Sequence, residues 1–427
     1  MRKIKKGVKG EASQYLTRSN AIRALQVNLQ DFRKLCILKG IYPRHPKKKL
    51  KGNTKTYFHV KDIKILQHDQ LLDKFRAIKA HLKKHKKYLG RKEVKVAENH
   101  IRKTPKYSLA PVIKDRYPTF VDALRDLDDA LCLVSLFAQL PQHLTLEIKK
   151  DDLRTCERLY KDFLLYCTVS QVFTKAFFSI KGVYYRVEIM GVPVTWVQPY
   201  KFNQRLPFDI DYKVMGTFTE FYMALLKFIN FKLFSDLGLP YPLEEAAFPA
   251  AGETYDVERV RALQANARKL FDEHDGADAE EEIDPAFRET PEFQQMRKRL
   301  EASKKQRNLL SNAVVLLGRE TPAYILQHLI LSFGGRFLLQ DDLPEDEKAE
   351  AKVMKQVTHV CMDRPVPAGT QDKSKEYVQP QYIVDSINNL FLLPTKPYLP
   401  GSVSHRSLYP NLPARLTACA CPSFAIR

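Results

Sequence analysis

Apolar residues recur at helical spacing through residues 21–44. Ile22, Leu25, Leu29, Phe32, Leu35 and Cys36 share one face, while Arg23, Asp31, Arg33 and Lys34 lie mostly off it. The spacing predicts one short amphipathic helix, with Asn20 at its front, Gly40 as its C-cap and Pro43 as a stop. Pro43, Pro46, Gly52 and the lysines between them spell a loop, and Tyr57, Phe58 and Val60 a short strand or packed anchor. A second helical run covers residues 63–88. It sets Leu66, Leu71, Phe75, Ile78 and Leu82 on one side and Lys74, Lys79, Lys83 and Lys86 elsewhere.

Between Pro111 and Leu239 the pattern is that of an apolar body. Helices are expected over 120–138, 151–169 and 217–237, the last ended by Pro240 and Pro242. The period changes to alternation at Val183, Tyr185, Val187 and Ile189, and again less cleanly at Val192, Val194 and Trp196. Met190-Gly191 sits between the two runs, as in a β-hairpin, and the single tryptophan reads as a core residue. A two-stranded ribbon is not stable alone, so the helices must cover it. The result is an α-rich domain with a small β-hairpin.

Residues 243–310 are rich in alanine and charge, with one sparse apolar stripe through Val257, Val260, Leu263, Ala267 and Leu270. An acidic tract at 272–284 follows and reads as linker. From residue 308, strands at 313–317, 336–340, 357–361 and near 377 alternate with helices at 322–335 and near 380–388. That order argues a small α/β domain with a parallel four-stranded sheet, with the acidic stretch 341–356 as an exposed loop. The expected division is a basic arm with the first helix (1–50), the α-rich domain (51–242), a linker (243–307), the α/β domain (308–401) and a disordered tail (402–427).

Charge sharpens the picture. The net charge of the 427 residues is +21, and residues 1–110 carry 31 Lys/Arg against 7 Asp/Glu, a local excess of 24. An imbalance so confined favours a polyanionic partner, and phospholipid, DNA and RNA all fit. The candidate phosphate contacts are Arg18, Arg23, Arg33, Lys34, Lys39 and Arg44, followed by Lys47, Lys48, Lys49, Lys83, Lys84, Lys86 and Lys87. The two lysine clusters double as candidate nuclear-import signals. No apolar run is long enough to span a bilayer, and the seven scattered cysteines suggest a reducing compartment.

Catalytic chemistry is not legible. Neither GxGxxG nor GxxxxGK[ST] occurs. His81 and His85 stand one turn apart without further ligands, and Asp209 and Asp211 read as surface or capping residues. No catalytic residue, metal site or cofactor is expected.

One run does carry a resemblance. SQYLTRSNAIRALQVNLQDFRKLCILKGIYPRHPKKKLKG, above all Phe32 to Arg44, is similar to the opening of the pescadillo family. Tyr57-Phe58, Asp62-Ile63, GVYYRVEIMGVPVTWVQPYKF and FTEFYMALLKFINFKLFSDLGLPYP match it in the same order, and VTHVCMDRP (357–365) resembles the family's BRCT domain. The resemblance implies a non-enzymatic assembly factor of the nucleus, nucleolus and nucleoplasm, acting on large-subunit pre-rRNA. It further implies a trimeric complex with the block-of-proliferation WD-repeat protein and a second WD-repeat propeller subunit, among large-subunit ribosomal proteins and assembly factors. Removal of the internal spacer between 5.8S and large rRNA is the implied process. A membrane is not among the implied partners, and a chromatin or DNA-repair adaptor is the alternative. Gly334, Gly335 and Tyr382 fall in the implied BRCT core. Tyr382 replaces the usual tryptophan, Gly318-Arg319 stand where phosphopeptide-reading relatives place a hydroxyl, and the tail beyond 401 differs from the family's charged one.

Overall fold

The computed structural model describes residues 13–46, 55–141, 148–201, 206–207, 209–242, 255–274, 294, 301, 304–343, 347–365, 372 and 374–401. Lys47, Lys48, Lys49, most of the acidic tract and the tail 402–427 lie outside the described residues. Two compact units divide the chain. The first takes Met1–Ala123, Leu140–Cys156 and Asn203–Lys227, and the second Leu124–Gln139, Glu157–Phe202 and Phe228–Arg427.

In chain order the elements begin with β1 (Tyr15–Thr17), α1 (Arg18–Leu25), α2 (Leu29–Leu38), β2 (Tyr57–His59), α3 (Val60–Gln67), α4 (Gln70–Gly90), α5 (Val94–Arg102) and α6 (Ala110–Arg116). There follow α7 (Phe120–Arg125), α8 (Leu127–Gln139), α9 (Lys150–Val169), β3 (Phe173–Ser179), β4 (Gly182–Ile189), β5 (Val192–Gln198), α10 (Tyr212–Asp236) and α11 (Val257–His274). The last group is β6 (Val314–Leu317), α12 (Ala323–Ser332), β7 (Arg336–Leu339), α13 (Glu347–Met354), β8 (His359–Cys361), β9 (Glu376–Val378) and α14 (Pro380–Asn389). Among the described residues no helix is long and apolar enough to cross a membrane.

In the first unit the single helix expected over 21–38 is two. Gln26 adopts the left-handed conformation (φ 56°) and ends α1. The reason lies in Leu25 and Val27, both buried. In one continuous helix, residues two apart point about 200° from each other and cannot share a core face. The break lets Val27 turn inward as well. The run expected over 63–88 also divides, at His68-Asp69. There the Asp69 carboxylate accepts from the Leu71 amide at 2.8 Å and caps α4. β1 and β2 pair antiparallel with Leu16 opposite Phe58. Phe32, Leu35, Leu38, Phe58, Ile63, Leu66 and Leu72 are buried, and the Phe32 ring meets Phe58 edge-on at 5.1 Å.

In the second unit the expected hairpin β4–β5 is present, and β3 extends it to a three-stranded antiparallel sheet. β3 escapes the alternation test because its register shifts between Phe173 and Lys175, which breaks the period of two. Gly182 opens β4 at φ 151°, where a Cβ would come 2.2 Å from the Gln198 carbonyl oxygen. No larger residue fits there. Trp196 is buried as expected. Its Nε1 donates to the Tyr160 hydroxyl at 2.9 Å, and Tyr160 in turn donates to Gln198 at 3.1 Å. α8 lies on this sheet: the Ser135 hydroxyl donates to the Val197 carbonyl, and the Asp128 carboxylate accepts from the Thr195 amide. Asp128 is thus half-buried against β5, and burial pushes its pKa up to about 6.

The later sheet is wholly parallel, with strand order β7-β6-β8-β9. The acidic stretch expected as a loop contains α13, whose Met354 packs on Leu316, Val357 and Val360. β7 and β8 run parallel on either side of β6, so the chain must cross over between them, and α13 lies on that path. α12 is buried along nearly its whole length. The side chains of Asn388 and Gln264 help tie the α/β layer to earlier elements of the same unit. The Asn388 side chain accepts from the Ala176 amide (3.1 Å) and donates to the Ala176 carbonyl (2.8 Å). Gln264 of α11 donates to the carbonyls of Thr168 and Leu331, both at 3.0 Å. His328 of α12 is buried against Thr168 and Tyr255, and burial pushes its pKa down to about 3.

Asn388→Ala leaves two backbone groups of β3 without their partner. It should cost about 1–3 kcal/mol of unfolding free energy in urea melts. His328 is held neutral in the fold but titrates near 6.5 when unfolded. The unfolded chain therefore binds the extra proton, and His328 makes stability fall as pH drops from 6.5 toward 3. Asp128 and Asp162, both raised to about 6, act in the opposite sense between roughly pH 6 and 4. His328→Gln should therefore flatten the loss of stability between pH 7 and 5, read by denaturation at each pH against wild type.

Candidate nucleic-acid interface

The expected phosphate contacts separate into two groups in the first unit. Arg33 stands 3.5 Å from Asp211, whose other carboxylate oxygen accepts from the Val214 amide near the start of α10. Lys34 is 2.7 Å from Glu220 and 5.2 Å above the Tyr107 ring, and the Tyr107 hydroxyl donates to the same carboxylate. Burial, reinforced by Glu220, pushes the Tyr107 pKa far up, so the hydroxyl keeps its proton. Lys39 reaches Asp69 at 2.7 Å and Asp115 at 3.6 Å. Asp69 is the cap of α4, so Lys39 joins the end of α2 to the start of α4. Beside it Gly40 takes φ 66°, and the Arg116 guanidinium lies 5.0 Å from the Phe221 ring.

Arg33 and Lys34 also line an open cleft of 650 Å³ with Lys149 and Lys213. Asp31, Asp152, Asp211 and Glu220 line it too. Four cations against four carboxylates leave no excess of positive charge, so this cleft does not attract a polyanion.

Arg18, Arg23 and Arg44 are exposed, the first two on α1 and the third where its amide bonds the Tyr57 carbonyl of β2. Lys83, Lys84, Lys86 and Lys87 are exposed on α4. The sequence-based set of contacts ends with that helix and misses the next one. α5 returns antiparallel along α4, and Arg91, Lys92, Lys95, Arg102 and Lys103 add further exposed cations. Residues 79–103 carry ten Lys/Arg against Glu93 and Glu98 alone. The basic residues of α5 were the available signal.

His81 and His85 build the seam of this hairpin. The His81 ring stacks on His100 at 3.7 Å and 10°, and Tyr88 meets His100 edge-on at 5.4 Å. His85 Nδ1 donates to the Ala97 carbonyl, and His100 Nε2 to the His81 carbonyl. Desolvation, reinforced by His100, Lys84 and His85, holds the His81 pKa below the ordinary histidine value. Among the described residues no group of three or more His, Cys, Asp or Glu is placed to hold a metal ion.

In the second unit, Gly334 takes φ 81°, and a Cβ on Gly335 would meet Ile330 at 2.7 Å. Tyr382 is buried, with its ring 5.8 Å from His359 and 5.6 Å from Tyr398. Arg319, after β6, is 2.6 Å from Asp341, and Thr321 donates to the Gly318 carbonyl.

The model of the Pescadillo N-terminus matches residues 5–275. The chain belongs to the pescadillo family. It is 39% identical over 411 residues to the pescadillo homolog of Nematostella vectensis, covering 93% of this chain and 79% of that one. Against the homolog of Arabidopsis thaliana it is 39% identical over 436 residues, covering 94% and 71%. Against that of Schizosaccharomyces pombe it is 36% identical over 453 residues, covering 95% and 73%. Pescadillo-family proteins are non-catalytic scaffolds, and membership supports a nucleolar role in ribosome biogenesis.

The paired and unpaired cations of this pescadillo-family chain should respond differently to substitution. Lys39→Met strands the nearly buried Asp69 carboxylate and should lower unfolding free energy by about 1–3 kcal/mol. Lys84→Met should stay within about 0.5 kcal/mol of wild type in the same urea titration.

Proposed function

We propose that the chain is an RNA-binding scaffold of the large ribosomal subunit precursor. The observation that carries this reading is the set of exposed cations at residues 83–103 of the α4–α5 hairpin, none within ion-pair distance of a carboxylate among the described residues. Such charge grips phosphate with little sequence preference, and double-stranded RNA is then recognised by shape and its 2′-hydroxyls. Lys83, Lys84, Lys86 and Lys87 are the leading contacts, with Arg18, Arg23 and Arg44 next and Lys47, Lys48 and Lys49 beside them in sequence. Arg33, Lys34 and Lys39 contribute less, because each already faces a carboxylate.

The finer reading follows the family. The chain joins the block-of-proliferation WD-repeat protein and a second WD-repeat propeller on pre-rRNA in the nucleolus, and supports removal of the spacer between 5.8S and large rRNA. Residues 308–401 form a BRCT domain, a reading supported by the all-parallel sheet, the packed Gly334-Gly335 turn and the buried Tyr382 ring. Arg319 is held by Asp341, which argues against phosphoserine reading at that place.

Binding of the purified full chain to a spacer-containing precursor RNA, measured against salt, tests the scaffold reading. The quadruple change of Lys83, Lys84, Lys86 and Lys87 to Gln should weaken binding about equally across sequences. It should also shrink the log–log salt slope by roughly 0.7–0.9 for each phosphate no longer neutralised. An unchanged affinity and slope overturns the assignment. A preference for duplex DNA over precursor RNA favours the chromatin adaptor instead.

A further inference from the structure

The α4–α5 hairpin has a second face that phosphate binding does not use. Along α4 an apolar stripe runs through Leu71, Phe75, Ile78, Leu82 and Leu89. Its first two members are buried in the core, but Leu82 is 41% exposed and Leu89 48%. On α5, Val94 is 54% exposed and Ile101 45%. At about 100° per residue, Leu82 and Leu89 stand a quarter-turn from the seam residue His81. Val94 and Ile101 are offset from Ala97 in the same rotational sense. The pairings His85 with Ala97 and His81 with His100 make the two helices antiparallel. In an antiparallel pair, equal senses bring both offsets to the same side, so the four residues form one apolar face. Lys84 and Lys87 fall on the opposite side. Lys79 and Lys86 border the apolar face on α4, and Lys95, Arg102 and the single carboxylate Glu98 border it on α5.

We infer that this face docks a helical protein segment whose own apolar stripe is flanked by Asp and Glu. A phosphate backbone gains nothing from leucine and would lose hydration against it. The basic rim selects acidic flanks and repels a basic helix. The face continues the buried stripe of α4 and is held in place by the stacked imidazoles, so a helix laid along it meets a preformed groove edge. The hairpin then joins two partners, nucleic acid on its lysine side and protein on its leucine side.

The experiment uses the full chain and fluorescence anisotropy with two labelled peptides of roughly 18 residues. One carries leucines at i, i+3 and i+7 among glutamates, and the other has the same composition in shuffled order. The patterned peptide should bind at least about tenfold more tightly than the shuffled one. The double variant Leu82→Gln, Ile101→Gln, both surface changes, should lose about tenfold for that peptide and keep its affinity for a structured RNA. Lys84→Gln with Lys87→Gln should do the reverse. Equal binding of the two peptides, no binding of the patterned one, loss of RNA affinity in the leucine variant, or binding of anionic vesicles that the patterned peptide cannot displace would each overturn the inference. Failure of RNA binding in every form would sink the scaffold reading and leave this one standing.

Discussion

A hairpin that displays ten cations within 25 residues must be held together by something other than charge. The seam between α4 and α5 meets that need with rings. His81 stacks on His100, Tyr88 closes the end, and two imidazole N–H groups bond carbonyls across the seam. Stacking at 3.7 Å is compatible with neutral rings and opposed by a second positive charge. His81 Nδ1 also has no hydrogen-bond partner, so a proton there would sit on a buried, unsatisfied nitrogen. Desolvation first, and Lys84 among its charged neighbours, hold the His81 pKa below its ordinary value.

Other cations of the first unit serve the architecture. Arg33, Lys34 and Lys39 each face a carboxylate far away in sequence, and Arg116 lies over Phe221. The division between structural and displayed cations is therefore spatial. The short basic helix α2 uses its charges to hold α4 and α10, whereas the cations at residues 83–103 project into solvent.

How much of this was legible depends on the range of each interaction. The apolar stripes of α2, α4, α9, α10 and α12 and the hairpin β4–β5 are local patterns, and the sequence carries them openly. The breaks at Gln26 and Asp69 are not local, because continuous periodicity cannot show which residue a distant core will pull inward. β3 was hidden by its register shift, and α13 by an acidic composition that masks the packing of Met354. The pairing of Lys39 with Asp69 and Asp115 joins residues 30 and 76 positions apart, beyond what a linear reading of charge can resolve. For the candidate interface, the lysine clusters were visible as composition. Their separation into paired and unpaired sets was not.

The side-chain amide of Asn388 has a consequence for fragments of this chain. β3 is an edge strand, and the amide meets its exposed donor and acceptor at Ala176 as a neighbouring strand would. At that position the edge is closed to strand addition. A product ending before α14, whether from a premature stop or a protease, presents that open edge together with Phe177 and Phe178. Such a product is expected to self-associate by adding strands, so the last helix of the α/β layer also guards the solubility of a sheet laid down two hundred residues earlier.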